Sequence, residues 1–92
     1  MAALVQPDVL ETTIRGIVDS IVPPKGVRLR RIDFANDHSG DAAVYIVFAV
    51  SKRIPLTKAR VRDLSSLSDT VADPIWQLPD GPIPYVRFED VR

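Results

Sequence analysis

Apolar positions along the chain switch between two spacings, and the switches mark out five segments. Leu10, Ile14, Ile17, Val18 and Ile21 lie on one stripe of an α-helix. Pro7 suits a first helical position, Asp8 and Glu11 suit the positive end of the helix dipole, and Pro23 and Pro24 stop the helix. These signals predict a helix over 7–22.

From Lys25 the period becomes two, with Val27 and Leu29 on one face and Arg28 and Arg30 on the other. The apolar parity then jumps to Ile32 and Phe34, so Arg30 and Arg31 mark an expected β-bulge. Asn36, Asp37, His38, Ser39, Gly40 and Asp41 are dense turn formers, read as a hairpin connection with Gly40 at a positive φ. The second strand is expected from Ala42 to about Val50. Its bulky positions, Val44, Ile46, Phe48 and Val50, should meet the helices. Its other face, Ala43, Tyr45, Val47 and Ala49, is smaller but still too apolar for a fully wet surface.

Thr57 is placed to cap a second helix, with Leu56 and Val61 spaced as a hydrophobic staple. Val61, Leu64, Leu67 and Val71 continue the stripe, and Pro74 predicts an end near Ala72, giving a helix over 57–72. Ser65, Ser66 and Ser68 weaken its middle, which leaves one helix, a kinked helix or two short ones open. Prolines at 74, 79, 82 and 84 then punctuate a loop whose Ile75, Trp76 and Leu78 are expected to cap the core. A half-buried strand is expected from Tyr85 to Val91, with Val86 and Phe88 inward. The resulting fold class is α+β: a two-layer α-β-β-α-β domain over 1–92, a three-stranded sheet with two helices on one face.

Composition narrows the function classes. At 92 residues, 46% hydrophobic and 26% charged, the chain suits one ordinary globular core. The absence of cysteine excludes disulfides, thiolate zinc sites and a thiol nucleophile. The opening MAALVQPDVL lacks the pattern of a secretory signal, and no apolar run approaches the roughly 20 residues of a membrane span. A cytoplasmic location with no membrane partner is the expectation. Net charge is zero overall but uneven. Positions 25–62 hold nine basic residues against three acidic ones, while both flanking segments are acidic.

Three groups of residues are candidates for chemistry. Asp37, His38 and Asp41 are donor types suited to a hard or borderline metal, yet they sit where Asp and Gly are favoured simply to bend the chain. Consecutive Asp37, His38 and Ser39 would splay apart on such a turn, so no catalytic triad, no enzyme activity and no cofactor are expected. The uncovered sheet face should carry Arg28, Arg30, Tyr45, Val47, Tyr85 and Arg87, with Glu89 beside them. Tyrosine and arginine on an open sheet suit a protein interface, with a partner protein or as a homodimer. They also suit single-stranded nucleic acid, held by Arg28, Arg30, Arg31 and Arg87 with the tyrosines; this is the alternative reading, which the zero net charge disfavours. A third group, Lys52, Arg53, Lys58, Arg60 and Arg62, clusters at the start of the second helix, where cations meet the dipole unfavourably. It reads either as an anion or nucleic-acid contact or as a solvated edge.

The segment Asp37-His38-Ser39-Gly40-Asp41-Ala42 and the closing Pro84-Tyr85-Val86-Arg87-Phe88 resemble those of small bacterial proteins with an acid-His-small-Gly-acid hairpin and a Pro-aromatic-Val strand. The resemblance implies association with HEPN or nucleotidyltransferase partners in toxin and antitoxin-like pairs. The element order also resembles type II KH and ribosome-binding-factor folds, which bind RNA. The Gly-x-x-Gly clamp of KH domains is absent, so no RNA-binding residue carries over.

Overall fold

The structure, a computed structural model, describes residues 7–91, with side chains from Val9 onward. Its elements are α1 (Pro7–Asp19), β1 (Val27–Asn36), β2 (Ala42–Ser51), α2 (Lys58–Trp76) and β3 (Ile83–Val91). The fold is α+β in the order α-β-β-α-β. Among the described residues no helix is long and apolar enough to cross a membrane.

In α1 the expected stripe faces the core, with Ile14 and Val18 buried and Leu10, Ile17 and Ile21 packed beside them. The helix ends at Asp19, three residues before the expected boundary. The Ser20 hydroxyl donates to the Ile17 carbonyl at 2.7 Å, and the Ile21 N–H bonds the Val18 carbonyl, closing a tighter last turn. Val22, which precedes Pro23, is pushed away from helical backbone. The side chains of Pro7 and Asp8 lie outside the described ones, whereas Glu11 pairs with Arg15 one turn on, at 3.0 Å.

β1 and β2 form the antiparallel hairpin, and the register shifts between Leu29 and Arg31. The bulge therefore lies where the parity jump placed it. Gly40 has φ 84°, and the turn closes with bonds from Asp37 N–H to the Asp41 carbonyl (2.8 Å) and from Gly40 N–H to the Asp37 carbonyl (3.0 Å). β3 lies on the other side of β2 and runs parallel to it, so the sheet is mixed, in the order β1-β2-β3. A parallel neighbour requires a crossover, which α2 supplies. The central position of β2 explains its apolar character on both faces: from Ala43 to Val50 only Tyr45 is not fully buried.

α2 is one continuous helix, and it passes through Pro74 instead of ending near Ala72. Proline removes one backbone donor in the last turn, while the helical continuation places Ile75, one turn beyond Val71, at 0% exposure. Ile75 thus enters the core from the helix and not from a loop. Trp76 is 59% exposed and does not cap the core, although Leu78 packs against it. Thr57 is the N-cap, accepting the Arg60 N–H at 3.1 Å. The expected staple does not form a buried pair: Leu56 and Val61 stay exposed, because the buried stripe of α2 is Arg60, Leu67, Val71 and Ile75.

The inner sheet face (Val27, Ile32, Val44, Ile46, Phe48, Val50, with Val86 and Phe88 from β3) meets both helices in one core. The Phe48 and Phe88 rings stack at 6.0 Å. Phe34, expected inward, is more than a third exposed, with the Arg15 guanidinium 6.0 Å from its ring.

Candidate interaction face on the open side of the sheet

The register brings side chains of the three strands into rows across the face opposite the helices. Ala35, Ala43 and Ile83 form one row, Asp33, Tyr45 and Tyr85 the next, then Arg31, Val47 and Arg87, and last Arg28, Ala49 and Glu89. The sequence-predicted Arg28, Tyr45, Val47, Tyr85 and Arg87 share this face. Arg30 joins them through the bulge, with its Nε 3.5 Å from Glu89 Oε1.

Two tyrosines and an arginine form the centre. The Tyr45 and Tyr85 rings stack at 5.1 Å and 15°, and the Arg87 guanidinium lies 4.9 Å from the Tyr45 ring centroid. The Tyr85 hydroxyl donates to Asp37 Oδ2 at 2.9 Å. The other Asp37 oxygen accepts the N–H groups of Ser39 (2.9 Å) and Asp41 (3.0 Å), so the hairpin turn anchors the tyrosine stack. Burial acts to raise the Asp37 carboxyl. The Tyr85 hydroxyl, the two backbone donors and the nearby His38 outweigh it and hold the group below the ordinary carboxylate value. Donation of the Tyr85 hydroxyl to Asp37, reinforced by burial and the Asp37 charge, raises the Tyr85 phenol above its ordinary value.

Beside the stack, Arg31 bonds Asp33 at 2.8 Å and Glu89 at 3.2 Å, and these hydrogen bonds raise its affinity for the proton. Arg28 and Arg87 have no ion-pair partner among the described residues. The face therefore carries four arginines against three carboxylates, Asp33, Glu89 and the anchoring Asp37, with Arg28 and Arg87 free to meet an outside acid.

Val47 lies on the face without being accessible. It is 1% exposed, and Ala43 and Ala49 are 2% exposed, because the larger tyrosine and arginine side chains around them close over the small apolar positions. The open face is thus less apolar than β2 alone suggests. Asp33 and the Asp37 anchor were not singled out from the sequence as parts of this face, and Arg31 was grouped with it only in the nucleic-acid reading. The bulge carried the signal for Arg31 and Asp33, since past it both take the outward parity. The Asp37–Tyr85 bond spans 48 positions and has no local signal.

Asp37, His38 and Asp41, the metal candidates, occupy the turn, with Asp37 spent on three hydrogen bonds and His38 and Asp41 exposed. Among the described residues no three His, Cys, Asp or Glu side chains come close enough together to hold a metal ion. No family model, curated protein or solved structure matches the chain.

Proposed function

We propose that the chain is a non-catalytic interaction module whose open sheet face docks an acidic surface of a partner protein. The observation that carries this reading is the anchored Tyr45–Tyr85–Arg87 stack flanked by unpaired Arg28. Tyrosine and arginine held rigid before contact lose little conformational entropy on binding, which is the property of interface hot spots.

Two other ligands fit the face less well. A second copy docked face to face would set four arginines and three carboxylates against the same set, so two faces of net positive charge would meet. Base stacking needs open ring faces, and Tyr45 already engages both the Tyr85 ring and the Arg87 guanidinium.

A photo-crosslinking amino acid in place of exposed Ala35, on the same face, tests the reading in cells. The expected result is a discrete protein adduct, lost from the Arg28→Glu/Arg87→Glu double variant and absent when the crosslinker replaces exposed Ser66 on α2. Affinity of the recovered partner should fall about tenfold or more in the double variant. An adduct that ribonuclease removes, or none beyond the control, overturns the proposal.

A further inference from the structure

The two edges of the sheet are built differently. β1 is bulged and carries Arg28, Arg30, Arg31 and Asp33, features that discourage a further strand. β3 keeps an unbroken register with β2 from Ile83 to Val91. The Val91 carbonyl accepts the Lys52 N–H at 3.1 Å, so Val91 directs its backbone groups at β2, and by alternation Glu89, Arg87 and Tyr85 do the same. Val86, Phe88 and Asp90 therefore point N–H and C=O outward, where they have no backbone partner among the described residues. Pro84, with no N–H to offer, closes this row at its start.

Beside that row runs an apolar groove. Asp63, Ser66, Leu67 and Thr70 of α2 line the cleft toward α1. The opposite flank of α2 faces out beyond β3, where Leu56, Val61, Leu64, Ser68, Asp69 and Phe88 line a groove of about 430 Å³. Leu56 and Val61 are 72% and 47% exposed, an open apolar wall next to open backbone groups. A strand added to β3 would send every second side chain into this groove, on the side of the sheet where Phe88 lies. Asp69 on the groove wall and Asp90, two residues beyond Phe88 on the same side of β3, have no ion-pair partner among the described residues.

We propose that the β3 edge takes up an extended segment of a partner protein, apolar at alternate positions and flanked by lysine or arginine. Main-chain bonds to Val86, Phe88 and Asp90 would hold the segment, the groove would take its apolar side chains, and Asp69 and Asp90 would meet the flanking cations. A second copy is a poorer occupant. Its own β3 would bring Val86, Phe88 and Asp90 to the groove, with no cation among them and with Asp90 set against Asp69. The site lies on the helix side of β3, and this inference does not depend on the Tyr45–Tyr85 face.

The probe is the acetylated, amidated peptide KTVTVTK, whose valines and lysines share one side of an extended chain, with ETVTVTE as its control. An NMR titration of the protein with KTVTVTK should saturate. With peptide at about ten times its dissociation constant, hydrogen exchange should slow about tenfold at Val86 and Phe88, and less at Arg87 and Glu89, which β2 already holds. ETVTVTE should bind about tenfold more weakly, and Asp69→Lys should reverse that preference. Val61→Lys should weaken KTVTVTK about tenfold without moving the melting temperature, because Val61 is exposed. Arg28→Glu/Arg87→Glu should not weaken it, which separates this site from the open face. A titration that does not saturate, exchange at Val86 and Phe88 that the peptide leaves unchanged, or a preference that Asp69→Lys does not alter overturns the proposal. Slow exchange at Val86 and Phe88 that grows with protein concentration in the absence of peptide also overturns it, and assigns the edge to a second copy.

Discussion

Asp37 shows how one side chain can serve both a turn and a surface. Its carboxylate satisfies two backbone donors inside the hairpin and fixes the hydroxyl of Tyr85 two strands away. Because the folded carboxyl titrates below its ordinary value of 3.8, its contribution to stability is present above that value and disappears as pH falls through the folded value. The Tyr85 phenol is shifted upward from 10.0, so its contribution is complete below that value and is lost as pH rises through the folded value. Asp37→Ala should therefore melt below the native protein at neutral pH. The gap should close in acid below 3.8, which melting curves across pH will show. A gap that persists unchanged in acid would mean that the turn depends on the shape of Asp37 and not on its charge.

At the scale of the element, α2 is set by opposing signals at its two ends. Thr57 satisfies an orphan donor at the start, and Thr57→Ala should cost about 1 kcal/mol in denaturant unfolding. Near the end, Pro74 interrupts the ladder of a helix that nevertheless continues, because Ile75 gains full burial. Pro74→Ala restores the missing donor, and it should raise stability by about 1 kcal/mol or more, against a penalty of about 3 kcal/mol for proline in a mid-helix position. A loss of stability would mean that proline restrains the unfolded chain more than it disturbs the helix.

For the whole molecule, the consequence of the β1-β2-β3 order is that β2 is covered on every side. The helices cover one face, and the tyrosine and arginine side chains close over the other. An uncovered apolar sheet face would call for a second copy, but here the small residues are already hidden and the face is positively charged. Light scattering over a wide concentration range should return the mass of a single chain. A dimer dissociated by salt would point to contacts between the basic middle and the acidic flanks of two copies, and away from face-to-face pairing.

By itself the sequence determined the class and order of the elements, the bulge at Arg30 and Arg31, the turn with Gly40 and the Thr57 cap, because each rests on period, parity or a local backbone preference. The tertiary structure alone decided the parallel placement of β3, the passage of α2 through Pro74 and the exposure of Trp76. These follow from where apolar area can be buried once distant segments meet. The same holds for the candidate sites. Face membership was legible from alternation, since strand geometry is local. The anchoring of Tyr85 by Asp37, the closure over Val47 and the groove between α2 and the edge of β3 depend on contacts between segments far apart in the chain, and no local pattern encodes them.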